Sequence, residues 1–321
     1  MIPSLHGALH KGQCGRIAVV GGSSLYCGAP YFAASAALLV GADLAHIFCE
    51  RGDVAPALRH LSPDLMVHAC LPADTAECGG DWEVCFAGQV SRVSVLVVGC
   101  GLGRRASTGE AALQMMALAR QEGLPVVVDG DGLWMVSQRL EKFLELGPWP
   151  WTVFTPNVNE FRYLANAVTL LRGSQDWMKD SEAGPSAEDL SSALGVTILK
   201  KGEVDVIAGP EEGQLLFCEE PGSLRRCGGQ GDALAGAVGT FLHWAKWCAT
   251  KESSRCEGTS PGEENTTENS TFWTGLAALG AACVTRAASR LAYQQKKRAM
   301  STTDLMAHLG EAFATLFPDK V

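Results

Sequence analysis

The chain has 321 residues, of which 47% are hydrophobic and 19% are charged, a composition typical of a compact globular protein with a sizeable core. Its net charge of −9 argues against a general nucleic-acid binder, because neutralising phosphates needs a surplus of Lys and Arg. The 12 cysteines form no C-x-x-C pair, and no apolar run approaches the ~20 residues of a membrane span. We therefore expect a reduced cytoplasmic protein with no membrane partner; a mitochondrial isoform from another start stays open.

Short apolar runs alternate with helical patterns along the chain. The predicted strands are 16–22, 43–49, 64–70, 94–99, 126–130, 151–156 and 196–202, and their continuous apolar character is typical of strands covered on both faces. Strands 204–210 and 214–220 form a predicted hairpin. Helices are predicted from near Pro30 and over 108–122, 187–194, 232–247, 273–292 and 302–316. This order predicts one α/β domain over 1–321, with a mostly parallel central sheet covered by helices on both faces and an antiparallel edge hairpin.

The segment 250–271 interrupts the helical patterns near the C-terminal end. It reads TKESSRCEGTSPGEENTTENST and is polar, acidic and rich in Ser, Thr and Glu. Such a composition buries too little apolar surface to offset the entropy of ordering. We predict a disordered acidic insertion within the domain and assign it no catalytic role.

The stretch RRCGGQGDALAGAVGTF (225–241) places three glycines directly before Asp232 and an apolar helix. A helix start offers unpaired N–H groups to an anion, and Gly228, Gly229 and Gly231 let a phosphate approach the backbone closely. A carboxylate beside such an anion site suits a base that deprotonates a hydroxyl attacking a phosphoryl group. A glycine-rich turn with an N-capping Asp explains the same residues. The sequence of this stretch alone leaves both the anion site and the capped turn open.

The stretch TPNVNEF (155–161) follows a predicted strand and begins a helix. Asn157 and Glu160 are three residues apart, so both could face one side of the first turn and hold a hydrated Mg²⁺. The same spacing is that of a capping box, in which Asn157 caps the helix and Glu160 reaches back to it. Both interpretations stay open at this point.

Other polar residues lie at or just after the ends of predicted strands, where α/β enzymes place ligand contacts. Lys201 could reach nucleotide phosphates or lie in a solvated turn. Asp129 and Asp131 could bind a ligand, form a turn or cap a helix. The stretch GCGLGRR (99–105) has Arg104 where a G-x-G-x-x-G fingerprint needs glycine, so a dehydrogenase site is weakly supported.

These motifs together resemble the ATP-dependent NAD(P)H-hydrate dehydratase family of the ribokinase-like superfamily. The resemblance rests on HKGQCGRIAVVGGSSLYCGAPYFAASAALLVGADLAHIF, VVGCGLGR, VVVDGDGLW, TPNVNEF, KKGEVD and RRCGGQGDALAGAVGTFLHWA, which occur in the family's order from His10 to Trp247. It implies a ribokinase-like fold and repair of (6S)-NADHX and NADPHX, the C6-hydrated forms of NADH and NADPH, with ATP converted to ADP. Family members usually have Pro at the position of Cys100 and Ala at that of Gly130.

The resemblance also implies a role for each matching residue. Asp232 would be the catalytic base and would contact the hydrate. Residues at the family's substrate positions are Gly101, Asn157, Val158, Asn159, Glu160, Phe161, Arg162 and Tyr163, with Tyr26, Gly28 and Ala29 lining the cleft. Residues at its ATP positions are Lys201, Gly202, Glu203, Val204, Asp205, Gly222, Ser223, Leu224, Arg225, Arg226, Cys227, Gly228, Gly229, Gln230 and Gly231. By analogy with the wider superfamily, Asn157 and Glu160 would hold Mg²⁺.

Several alternatives accompany this interpretation. A kinase of the same superfamily acting on a vitamin alcohol would share Asp232 and the anion site, and an inactive nucleotide-binding protein would share the fold. ADP in place of ATP as phosphoryl donor is also open. The resemblance further implies a functional pairing with a separate NAD(P)H-hydrate epimerase, and the sequence is compatible with a homo-oligomer.

Overall fold

A computed structural model describes residues 1–73, 81–173, 184–255 and 264–318. The strands are β1 Arg16–Val20, β2 Leu44–Glu50, β3 Leu65–Leu71, β4 Val95–Val98, β5 Val126–Val128, β6 Thr152–Phe154, β7 Thr197–Lys200, β8 Asp205–Ala208 and β9 Leu215–Cys218. The helices are α1 Gly28–Val40, α2 Val54–Leu61, α3 Asp81–Val90, α4 Ala106–Gln121, α5 Asp131–Gln138, α6 Leu140–Glu145, α7 Val158–Arg172, α8 Ala187–Leu194, α9 Gln230–Arg255, α10 Glu264–Lys296, α11 Thr302–Ala307 and α12 Leu309–Leu316.

The nine strands of the described residues form one sheet in the order β3-β2-β1-β4-β5-β6-β7-β8-β9. Strands β1 to β7 pair in parallel, whereas β8 pairs antiparallel with β7 and with β9. The predicted fold class is therefore confirmed, including the antiparallel edge hairpin.

Helices cover both faces of the sheet, which explains why its strands are continuously apolar. One core lies between the sheet and helices α1, α9 and α10, and the other lies between the sheet and helices α4, α5, α7 and α8. All four residues of β4 are buried. Helix α9 is fixed against α1 by packing and by the hydroxyl of Thr240, which donates a hydrogen bond to the carbonyl of Ala37 at 3.1 Å. This contact holds the helix that carries Asp232.

Two predictions about the C-terminal region need correction. The predicted disordered segment 250–271 is wrong at both ends, because α9 continues to Arg255 and α10 begins at Glu264; residues 256–263 lie outside the described part of the chain. At the far end, the buried hydroxyl of Thr271 bonds Glu211 and Gln214 of the edge hairpin, so a polar residue is ordered by partners distant in sequence. The predicted helix 302–316 is two helices that meet at His308.

Candidate active site

The carboxyl ends of the parallel strands border a cavity of about 910 Å³. Its walls come from the loops after β1, β4, β5 and β6 and from the first turns of α1, α7 and α9. Strands β1 and β4 are neighbours at the point where the strand order reverses. In open α/β sheets ligands bind at such a point, outside the carboxyl ends of the strands. The cavity is therefore the candidate substrate site.

Most residues predicted to contact the substrate lie at this cavity. Those that line it are Tyr26, Ala29, Gly101, Asn157, Asn159, Glu160, Tyr163 and Asp232. Gly28, Val158, Phe161 and Arg162 do not line it. Phe161 is buried in the core beneath α7, because only one side of a helix can face a cleft while the opposite side packs on the sheet.

Gly101 is required by a close approach between two loops. Its φ of +62° is a left-handed conformation, and a Cβ at this position would lie 2.5 Å from the carbonyl oxygen of Tyr26. The loop after β4 thus packs directly against the loop after β1 in the cleft wall. Only glycine fits without moving one of the two loops.

Asn157 and Glu160 form a capping box at the start of α7. The side-chain oxygen of Asn157 accepts hydrogen bonds from the N–H groups of Asn159 and Glu160 at 2.9 and 3.0 Å. Glu160 Oε2 in turn accepts the N–H of Asn157 at 2.8 Å. The structure therefore contains the capping box, which engages the side-chain oxygen of Asn157 and one of the two carboxylate oxygens of Glu160.

A charged cluster lies between the cavity and the glycine-rich segment. The Nζ of Lys201 is 2.8 Å from Asp129 Oδ1 and 3.7 Å from Glu160 Oε2. The hydroxyl of Thr155 donates to the same Asp129 oxygen at 2.7 Å. One carboxylate oxygen of Asp129, one of Asp232 and the Sγ of Cys100 all lie within 4.8 Å of one another. Residues from the ends of β4, β5, β6 and β7 thus converge on the start of α9.

Burial raises the pKa of Asp232 to about 7, and the negative charge of Asp129 adds to the shift. A hydrogen bond from the Cys100 thiol and the positive charge of Lys201 act in the opposite direction by favouring the carboxylate. Burial also raises the pKa of Cys100, which keeps that thiol protonated and able to donate. Asp232 is therefore poised to exchange a proton near neutral pH.

The pKa values of Lys201 and Glu160 are also shifted by burial and by the other charges of this cluster. Burial alone would lower the pKa of Lys201, but the charges of Asp129 and Glu160 outweigh it and raise that pKa above its ordinary value. Burial and the charge of Asp129 raise the pKa of Glu160. The charge of Lys201 thus lies between the carboxyl groups of Asp129 and Glu160 and favours the ionised form of Asp232.

The two segments predicted to contact ATP approach each other beside Lys201. A Cβ built at Gly231 would lie 3.2 Å from Lys201 Nζ, so the end of segment 222–231 is next to the start of segment 201–205. Within these fully described segments, the side chains of Glu203, Val204, Leu224, Arg225 and Arg226 are exposed, whereas Asp205 is buried. None of the residues in either segment lines the 910 Å³ cavity. Asp232 follows directly and does line it.

The glycine-rich segment is anchored near both of its ends. The N–H of Ser223 donates to the hydroxyl of Ser289 in α10 at 3.0 Å. The hydroxyl of Thr302 in α11 donates to the carbonyl of Gly228 at 2.6 Å. The side-chain amide of Gln230 donates to the Arg225 carbonyl and the Cys227 sulfur, at 3.1 and 3.0 Å. These bonds fix the segment while the N–H groups at the start of α9 remain available to an anion.

The site also contains residues outside the predicted set. Asp129 belongs to the charged cluster, and the Sγ of Cys100 lies within 4.8 Å of its carboxylate. Arg104 and Asp131 line the cavity, where Arg104 Nε is 3.3 Å from Asp131 Oδ1. The sequence carried a signal for them, because each lies at or just after the end of a predicted strand. Sequence alone does not separate such residues from ordinary turn formers.

Comparison with known proteins bears on this arrangement. Residues 17–310 match the family model described as NAD(P)H-hydrate dehydratase. The ATP-dependent (S)-NAD(P)H-hydrate dehydratase of Homo sapiens is 40% identical over 319 residues, covering 99% of this chain and 82% of that protein. The enzyme of the same name from Schizosaccharomyces pombe is 36% identical over 326 residues, covering 100% of this chain and 92% of that protein.

Solved structures show the same fold at lower identity. The ADP/ATP-dependent NAD(P)H-hydrate dehydratase of Bacillus subtilis, co-crystallised with ATP and Mg²⁺, aligns with a TM-score of 0.65 and 19% identity over 98% of this chain and 94% of that one. A ribokinase-like superfamily protein of Enterococcus faecalis aligns with a TM-score of 0.66 and 20% identity over 98% and 92% of the two chains. The chain therefore belongs to the NAD(P)H-hydrate dehydratase family and has the ribokinase-like fold.

Proposed function

We propose that the chain acts as one domain over 1–321 that dehydrates (6S)-NADHX and NADPHX to NADH and NADPH at the expense of ATP. The observation that carries the proposal is the place of Asp232, which lines the 910 Å³ cavity and directly follows the glycine-rich segment at the start of α9. A residue at that junction can contact a hydroxyl in the cavity on one side and a phosphoryl group on the other. The relatives named ATP-dependent dehydratases support this assignment.

Asp232 is the proposed catalytic base. It takes the proton of the C6 hydroxyl while that oxygen bonds to the γ-phosphorus of ATP and ADP leaves. Phosphate then departs from C6 with the help of the ring-nitrogen lone pair, and loss of the C5 proton restores the C5–C6 double bond. Phosphorylation is useful because hydroxide is a poor leaving group. A pKa of about 7 suits a base that must be ionised for a large fraction of turnovers at neutral pH.

The amides of Gly228, Gly229 and Gly231 are proposed to stabilise the charge on the transferring phosphoryl group. Gly228 faces open space, and Gly231 lies beside Lys201. Anions are stabilised at helix starts by unpaired N–H groups and by the helix dipole. The ATP-binding assignment of 201–205 and 222–231 remains part of this proposal.

The cavity is proposed to bind the hydrated dinucleotide. Its volume of about 910 Å³ lies within the ~300–1,000 Å³ range of ligand pockets. Gly101 and the exposed side of the first turns of α7 would contact the dihydronicotinamide end near Asp232. Arg104, whose side chain is 62% exposed, offers a cation to the phosphates of the ligand.

Mg²⁺ is proposed to bind through Glu160. The capping box occupies Oε2 of Glu160 and the side-chain oxygen of Asn157, so the donor set fits a largely hydrated ion held by Glu160 Oε1, with Asn157 orienting that side chain. A bound Mg²⁺ would neutralise charge on the nucleotide phosphates. We further propose a cytoplasmic location and a functional pairing with a separate NAD(P)H-hydrate epimerase; a homo-oligomer is compatible with the sequence.

The test is a direct assay of purified protein with (6S)-NADHX or (6S)-NADPHX, Mg²⁺ and either ATP or ADP. We expect the absorbance of the reduced nicotinamide to rise with one nucleotide, which identifies the phosphoryl donor, and the (6R) epimers serve as the control. Nucleotide consumption with vitamin alcohols but not with the hydrates would favour a kinase. Nucleotide binding without turnover of any of these substrates would favour an inactive protein.

A further inference from the structure

Helix α10 contacts both segments that the proposed function assigns to ATP. The side chain of Arg286 reaches from this helix to the junction of the two segments. Its Nε donates to the carbonyl of Glu220 at 2.6 Å, and its Nη1 and Nη2 donate to the carbonyls of Gly202, at 3.4 Å, and Glu203. One guanidinium therefore bonds the backbone of 202–203 and the residue that leads into 222–231.

Asp205 completes this arrangement from the other side. Its Oδ1 is 3.0 Å from Nη1 of Arg286 and also accepts the N–H of Gly202 at 2.9 Å. The Asp205 side chain is only 6% exposed and that of Arg286 is 19% exposed. Charge-assisted bonds with this degree of burial are stronger than exposed ones. The pair therefore fixes the turn that begins at Lys201.

The neighbouring residues of α10 hold the second segment. Ser289 accepts the N–H of Ser223, and its own hydroxyl donates to the carbonyl of Arg286 at 2.8 Å. Arg290 forms an ion pair with Glu220 and donates to the carbonyl of Pro221 at 2.9 Å. Arg286 is distinct from these two because it bonds both the turn at 202–203 and Glu220, which lies just before segment 222–231. Ser289 and Arg290 bond the chain only over 220–223.

We propose that Arg286 is a positioning residue for ATP, which sets the spacing between segments 201–205 and 222–231. This inference rests on the proposed function, because the ligand of the two segments is assigned there. Arg286 acts through the backbone of these segments and through Asp205. Lysine cannot replace it, since the three donors of an ammonium group share one nitrogen and cannot span the separate carbonyls that the three guanidinium nitrogens reach.

The experiment compares Arg286→Lys and Arg286→Ala with wild type. ATP affinity is measured by calorimetry with Mg²⁺ and without hydrate, and KM is then measured for each substrate. We expect both variants to raise the Kd for ATP about tenfold or more, with the KM for the hydrate within about twofold of wild type. General damage to the fold would instead lower the active fraction and leave both constants unchanged.

Arg120 provides the matched control. It donates to the carbonyls of Gly147 and Pro148, both at 3.0 Å, which precede β6, whereas segment 201–205 follows the parallel strand β7 at the other edge of the sheet. Arg120→Lys and Arg120→Ala are expected to keep the ATP affinity within about twofold of wild type. Asp205→Asn removes the ion pair from the opposite side and should reproduce the Arg286 pattern. If the Arg286 variants do not fold, the ATP affinity of Asp205→Asn tests the inference in their place.

ATP affinities within twofold of wild type for the folded Arg286 variants, or for Asp205→Asn where those do not fold, would overturn the inference. A wild-type protein that does not bind ATP would overturn it together with the nucleotide assignment. A wild-type protein that binds ATP but does not convert the hydrate would overturn only the dehydratase proposal. The affinity ratios would then still decide the role of Arg286.

Discussion

The ammonium of Lys201 lies 2.8 Å from Asp129 Oδ1. The two residues follow different strands and are 72 positions apart in the chain. This ion pair adjoins Asp232, and its two members act on that carboxyl in opposite directions. The charge of Asp129 raises the pKa of Asp232, and the charge of Lys201 lowers it. The proton affinity of the proposed base therefore depends on a pair of residues that the sequence does not place near it.

Asp129→Asn should move the acidic limb of the pH dependence of kcat/KM to lower pH. The substitution removes a negative charge beside Asp232 and leaves the charge of Lys201 less compensated, so the pKa of Asp232 falls below about 7. The rate is measured between about pH 5 and 9. Asp131→Asn, which changes a carboxylate paired with Arg104, is the control. An unmoved limb in Asp129→Asn would contradict the electrostatic coupling.

Asp232→Asn should abolish turnover and leave ATP binding largely intact. The amide cannot accept the hydroxyl proton, whereas the amides at the start of α9 are unchanged by the substitution. Turnover is measured from NADH formation and ATP binding by calorimetry. Near-normal turnover in this variant would show that the base is another residue.

The same variant should be more stable than wild type at alkaline pH. The pKa of Asp232 is raised in the folded state, so the folded protein binds its proton more tightly and loses stability as pH rises from about 4 to about 7. Asparagine has no such penalty. We expect a gain in the free energy of unfolding on the order of 2 kcal/mol at pH 8, and a smaller gain at pH 5, measured by urea titration. Equal gains at the two pH values would contradict the raised pKa.

Gly228→Ala and Gly229→Ala should separate function from stability. A Cβ at Gly228 meets open space, so this variant should keep its melting temperature but lose affinity for ATP, since the methyl group enters the proposed phosphate site. Gly229 has φ +96°, and a Cβ there would lie 2.7 Å from the Phe32 ring. This variant should lose on the order of 2 kcal/mol of stability. Thermal melting and calorimetry with ATP distinguish the two, and a stable Gly229→Ala would contradict the strain argument.

Asn157→Ala should cost about 1 kcal/mol of stability, because two N–H groups at the start of α7 lose their acceptor. Asn157→Ser retains a capping hydroxyl and should stay within about 0.5 kcal/mol of wild type. Both variants should raise the KM for the hydrate if the Asn157 amide also contacts it in the cavity. Urea unfolding tests the cap, and steady-state kinetics tests the contact. Equal stabilities of the Ala and Ser variants would argue against the cap.

Local patterns explain why much of the fold follows from the sequence. Continuous apolar runs such as that of β4 indicate strands covered on both faces, and alternation with helices indicates parallel connections. The break at His308 was not predicted, because Leu305, Leu309 and Ala312 keep helical spacing across it and are all buried. The order at Thr271 was not predicted either, since its partners belong to the edge hairpin.

The sequence by itself determined the succession of strands and helices along the chain, the glycine-rich helix start and the resemblance to the family, because these are properties of neighbouring residues. Tertiary structure alone decided that Phe161 packs in the core and that Lys201 pairs with Asp129. It also placed Arg286 between Gly202 of one segment assigned to ATP and Glu220, which lies just before the other. The physical reason is that burial, ion pairing and pKa depend on distances in space between residues that are far apart in the chain.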